Sequence, residues 1–134
     1  MKKTVLSVLA LSALVFSCKK DDDKSNAEKI QGKWNLIRMI DNDHYSNVDH
    51  KDTTDYPSGS YTVEFQSSGI AIEKTANFTD SSHYTVDGSR LIFKYSNNSD
   101  TVNITTLTGS DLQVSAKEVY TGGDFYEHVS ILKK

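Results

Sequence analysis

The chain has one cysteine, Cys18, and one proline, Pro57, in 134 residues. A single cysteine cannot form a disulfide within the chain, so the fold must be held by an apolar core of its own. A single proline leaves almost all of the backbone able to donate to a β-ladder. Basic excess is also missing: 15 Lys and Arg stand against 18 Asp and Glu. That excludes an electrostatic grip on nucleic acid, which needs a basic face. No apolar run reaches the roughly 20 residues that a membrane-spanning helix requires. There is no G-x-S-x-G, no glycine-rich phosphate loop and no H-E-x-x-H, so no enzyme class is indicated.

What is present begins at the front. Lys2 and Lys3 precede an apolar and small-residue run from Thr4 to Phe16, followed by Ser17. Residues 1–17 therefore read as a signal peptide. The lone cysteine comes next. Val15-Phe16-Ser17-Cys18 resembles the lipobox of bacterial lipoproteins, in which cleavage leaves the cysteine as an acylated N-terminus. The resemblance implies lipidation of Cys18, with palmitate-type chains as the membrane contact. Two or more acyl chains give stable attachment, at about 0.8 kcal/mol per buried CH2. The charged run Lys19 to Lys24 resembles the short acidic export signal of surface-bound lipoproteins in Bacteroidota. This implies the outer membrane, facing outward, with a periplasm-facing anchor as the alternative. Residues 18–27 thus form a lipidated N-terminus and charged tether.

Without residues 1–17, thirteen basic and eighteen acidic side chains remain, a net charge of −5. About 100 residues follow the tether, enough for one small domain and too few for two. Ser25-Asn26-Ala27-Glu28 has the capping-box form and predicts a short helical turn, with Gly32 ending it. The rest reads as strand and turn. Period-two alternation marks strands around Trp34–Ile40, Tyr61–Gln66, Ile70–Phe78, Tyr84–Val86, Leu91–Tyr95, Val102–Thr106, Leu112–Tyr120 and Phe125–Ile131. Asp87-Gly88 is a strong hairpin signal. The expected class is all-β, a small eight-stranded antiparallel up-and-down barrel over residues 28–134. A two-sheet sandwich is the alternative. Closure removes the exposed edges of an open sheet, and eight strands enclose just enough room for side chains or one small ligand.

Gly32-Lys33-Trp34 matches the G-x-W signature of lipocalins. The longer set Ile30-Gln31-Gly32-Lys33-Trp34-Asn35-Leu36, Leu107-Thr108-Gly109-Ser110-Asp111-Leu112 and Ile131-Leu132-Lys133-Lys134 is similar to lipocalin-like lipoproteins of Bacteroidota. The resemblance implies that Trp34, with Gly32 before it, plugs the closed barrel end. Short strands predict a shallow barrel and a small cavity.

Candidate ligand-binding positions are Leu36, Phe65, Ile72, Tyr84, Phe93, Tyr95 and Val114, with the two tyrosines as polar handles. A plain packed core is the competing reading of the same residues. Val63, Ile104 and Val129 are further inward candidates. Residues 41–59 read as a long polar loop over the barrel mouth. Its 41–55 part carries five Asp and two His, but it fails the calcium-loop pattern and zinc-site spacing, so no metal or other cofactor is assigned. Glu64 and Glu73 form a carboxylate pair if they face each other across a hairpin. His83 and His128 read as surface residues. The expected role is non-catalytic binding of a small, partly apolar molecule. The alternative is a protein-interaction module or inhibitor subunit with a filled barrel and an as yet unspecified protein partner.

Overall fold

The computed structural model describes residues 24–134, so the signal peptide and Cys18 lie outside the described residues. One short helix, α1 (Asn26–Lys29), precedes nine strands: β1 (Gly32–Tyr45), β2 (Val48–Asp55), β3 (Tyr61–Phe65), β4 (Ile70–Thr75), β5 (Thr79–Asp87), β6 (Arg90–Lys94), β7 (Ser99–Leu107), β8 (Asp111–Val119) and β9 (Phe125–Lys133). All pairings are antiparallel and follow chain order from β3 to β9, and a β1–β9 pairing closes the sheet on itself. The result is a closed eight-stranded up-and-down barrel, as expected.

The ninth strand comes from the segment expected to be a loop. β1 runs on to Tyr45, turns through Ser46 and Asn47, and returns as β2, with Tyr45 opposite Val48 and Arg38 opposite Asp55. Ser46 and Asn47 both have positive φ, 53° and 63°, as a two-residue type I′ hairpin turn requires. β2 and β3 lie end to end along one edge of β1, so together they make a single barrel stave. Tyr56 lies between them, and its N–H donates to Ile37 O at 2.9 Å. β2 is exposed along its whole length, and among the described residues its outer edge carries no partner strand. Its Asp, His and Lys side chains suit an edge that must not recruit another strand.

Because β1, β2, β8 and β9 extend beyond their neighbours, the barrel has one tall wall. The interior is filled from the opposite end. Trp34, Leu36, Phe65, Ala71, Leu91, Ile104, Leu112 and Leu132 are buried in one cluster, together with Ile30 from the end of α1. On β4, alternation places Ala71 and Glu73 inward and Ile70 and Ile72 on the other face. Ile72, expected inside, is therefore outside. Val129 is likewise on the outer face, buried but apart from the interior cluster, because its neighbours His128 and Ser130 face in.

A candidate ligand-binding cavity

The closed end is built first by the sequence around Gly32. Glu28 accepts hydrogen bonds from Ser25 N at 2.9 Å and Ser25 Oγ at 3.0 Å, which fixes α1 as the capping box predicted. Asn26 ties α1 to the β5–β6 turn by donating to Gly88 O at 2.9 Å. The chain then swings into β1 at Gly32, whose φ is 109°. An added Cβ there would lie 3.5 Å from Lys134 Cε. Trp34 follows, fully buried, and its Nε1 donates to Ile30 O at 2.6 Å. Lys134 Nζ sits 4.5 Å from the centre of the Trp34 ring. Trp34 thus occupies the end of the barrel with its one polar atom satisfied.

Above that floor lies a cavity of about 340 Å³, near the lower end of the range typical of small-molecule sites, about 300–1,000 Å³. Leu36, Val63, Phe65, Leu91, Phe93 and Leu112 make much of its apolar wall. Of the seven positions expected to bind ligand, Leu36, Phe65, Phe93 and Val114 line this cavity. Tyr84 lies outside its lining, in the packed core. Its ring stands edge-on to Phe65 at 5.0 Å, and its hydroxyl donates to Gln66 O at 2.9 Å. Burial pushes the Tyr84 phenol above its ordinary pKa. Tyr95 stands at the rim, 42 % exposed, among Glu73, Asp80 and Ser82. Its pKa is also raised, by burial first and then by the charges of Glu73, Asp100 and Asp80. Ile72 lies outside the lining.

The polar lining comes from residues that periodicity did not single out. Tyr61 donates from its hydroxyl to Glu73 Oε2 at 2.5 Å. The phenol is half-buried, and burial together with the Glu73 carboxylate raises its pKa. Tyr56 and Phe78 pack edge-on against the Tyr61 ring at 6.4 and 6.3 Å. Glu64, the other half of the expected carboxylate pair, opposes Ile72 while Glu73 opposes Val63. The two carboxylates therefore project from opposite faces.

The second polar group sits at the tall wall. His128, expected on the surface, lines the cavity with Ser130. Asp41 Oδ1 lies 2.6 Å from His128 Nδ1 and accepts from the Tyr126 hydroxyl at 2.6 Å. Those two bonds, Tyr126 first, hold the Asp41 carboxyl below its ordinary pKa. On the other side of the ring, His128 Nε2 lies 3.5 Å from Ser130 Oγ. The order Asp, His, Ser resembles a nucleophile relay, but acyl transfer also needs donors for an oxyanion. Ser130 lies within a strand paired along both edges, so its surrounding amides belong to the ladder. The group is suited to hydrogen bonding a ligand.

A family model described as a lipocalin-like domain matches residues 30–114, from the residue that receives the Trp34 bond to the cavity wall on β8. No curated protein matches the chain.

Proposed function

Because the chain belongs to the lipocalin-like domain family, we propose that it binds a small, partly apolar molecule inside the barrel, without catalysis, while held at the cell envelope by a lipid on Cys18. The observation that carries the binding reading is the cavity: apolar around its body, with Tyr56, Tyr61, Glu73, His128 and Ser130 as the few polar side chains in its wall. A packed barrel of the same strands would have no such space. Support for the anchor comes from the sequence, in the short apolar run of residues 4–16 and the lipobox-like Val15 to Cys18. The outer membrane is the proposed address, with the domain facing the cell surface.

Native mass spectrometry of the full chain, purified gently from its own envelope, tests the binding reading. The expected result is a reproducible extra mass of small-molecule size that is lost on denaturation. Repeated bare mass, together with failure to bind any apolar probe, would sink it. The anchor has a separate test: Cys18→Ala should move the protein from the membrane to the soluble fraction, and continued membrane association would overturn lipidation.

A second reading rests on a different region. Tyr45, Val48, Val119 and Tyr120 are 68, 50, 69 and 54 % exposed at the tips of the two hairpins of the tall wall. Ser46 N donates to Asp124 Oδ1 at 3.1 Å and joins those tips. Exposed apolar groups gathered at one place mark contact surfaces, so a protein partner at the mouth is the alternative. Cross-linking from a photoreactive group at Tyr45 would then capture one defined protein, and scattered products would count against it.

A further inference from the structure

We infer that the cavity selects an organic cation, an amine carried on an apolar or aromatic body, over a fatty acid or a neutral lipid; this rests on the binding reading above. The lining is chemically one-sided. Glu73 places a carboxylate in the wall, and among the described residues no Lys or Arg lines the cavity. Among the described residues Glu73 forms no ion pair; its recorded partner is the Tyr61 hydroxyl, a neutral donor, at 2.5 Å. A carboxylate offers about four acceptor sites, so one bond from a phenol leaves most of its capacity for other donors. A carboxylate ligand would meet this like charge in a partly desolvated wall, where repulsion is poorly screened. An ammonium group would meet the missing counter-charge and form the stronger, charge-assisted kind of bond.

The surrounding rings make the same selection. Tyr56, Tyr61 and Phe93 also line the cavity, and their faces attract a cation through the ring quadrupole. On the tall wall, a second carboxylate, Asp41, stands behind His128 with Oδ1 2.6 Å from His128 Nδ1. The apolar floor above Trp34 then receives the body of the molecule. Carboxylate and aromatic faces each favour a cation.

The test uses three probes with one body: phenethylamine, phenethyl alcohol and hydrocinnamate, titrated calorimetrically into the full chain and into its Glu73→Gln variant. The amine is expected to bind about tenfold more tightly than the alcohol, and hydrocinnamate more weakly than either. Glu73→Gln keeps the side chain's shape, so it should erase the amine's advantage over the alcohol. Should the alcohol or the acid bind the native protein as well as the amine does, the cation selection fails and the apolar-ligand reading stands. If none of the three binds, the cation selection fails, while a native mass that still carries a small molecule would keep the binding reading. A Glu73→Gln protein that still prefers the amine would assign the selection elsewhere and overturn this site.

Discussion

The two ends of the barrel are made from the same strands, yet they satisfy their polar groups in different ways. At the closed end the chain supplies every partner: Ile30 O for Trp34 Nε1, Gly88 O for Asn26, and Lys29 O for Lys134 Nζ at 3.3 Å. The apolar groups there are buried, Trp34 and Ile30 completely. At the mouth, among the described residues, Glu73 has a phenol and no cation, His128 Nε2 has only a distant hydroxyl, and Tyr45 and Tyr120 stand in solvent. One end is finished by the chain; the other has unused hydrogen-bonding capacity. Stability and binding are therefore expected to separate along the barrel axis.

The comparison is broken most severely at Trp34. Trp34→Ala should cost about 3–5 kcal/mol, as for other buried large aromatics, read from urea unfolding. A loss under about 1 kcal/mol would mean that the plug does not hold the barrel. Gly32→Ala comes next, because φ of 109° is strained for any residue with a Cβ. About 1–3 kcal/mol is expected in the same assay, and an unchanged midpoint would show that β1 can start without the turn. At the mouth, Tyr61→Phe retains the ring and removes one hydrogen bond. It should cost no more than about 1 kcal/mol, while changing the Glu73 environment that the binding probes read. A cost equal to that of Trp34→Ala would erase the distinction between the ends.

The smallest effect is one that acid removes. Hydrogen bonding to Lys133, then to Ser110 and Thr108, lowers the Asp111 carboxyl to about 2. An unperturbed Asp titrates near about 3.9. A depressed pKa contributes stability that is present above the unfolded value and is lost as pH falls through the folded one. The difference between the native protein and Asp111→Asn should thus be full at neutral pH and fade between about pH 4 and pH 2. A difference that stayed constant across that window would assign it to packing.

The closed end was legible because its devices are local. Ser25-x-x-Glu28, Gly32 and Trp34 sit within ten residues of one another, and hairpin turns such as Asp87-Gly88 announce themselves. The barrel followed from alternation and turn spacing. The tall wall was not legible, since its strand β2 is exposed along its whole length and so carries no hydrophobic period. On β4 and β9 the alternation misled. Ile70 and Ile72 flank the small Ala71, and Val129 and Ile131 flank Ser130, so the apolar residues point outward and the polar ones line the cavity. Sequence cannot reveal that phase; pairing with β3 and β1 sets it. The same inversion hid Glu73 and His128, the two residues that give the cavity its chemical character.

The seam between β1 and β9 sets an order on the birth of the molecule. Asn35 bonds to Lys133 O across 98 positions of chain, and β1 waits for that partner along most of its length. Each hairpin from β3 to β8 can form as its residues emerge, because its contacts are local. The ring cannot. Until the final strand arrives, the nascent protein is an open curl with two bare edges, the sort of surface that recruits foreign strands. A premature stop shortly before residue 125 would therefore do more than shorten the product: it would leave a template for aggregation where a closed wall should be.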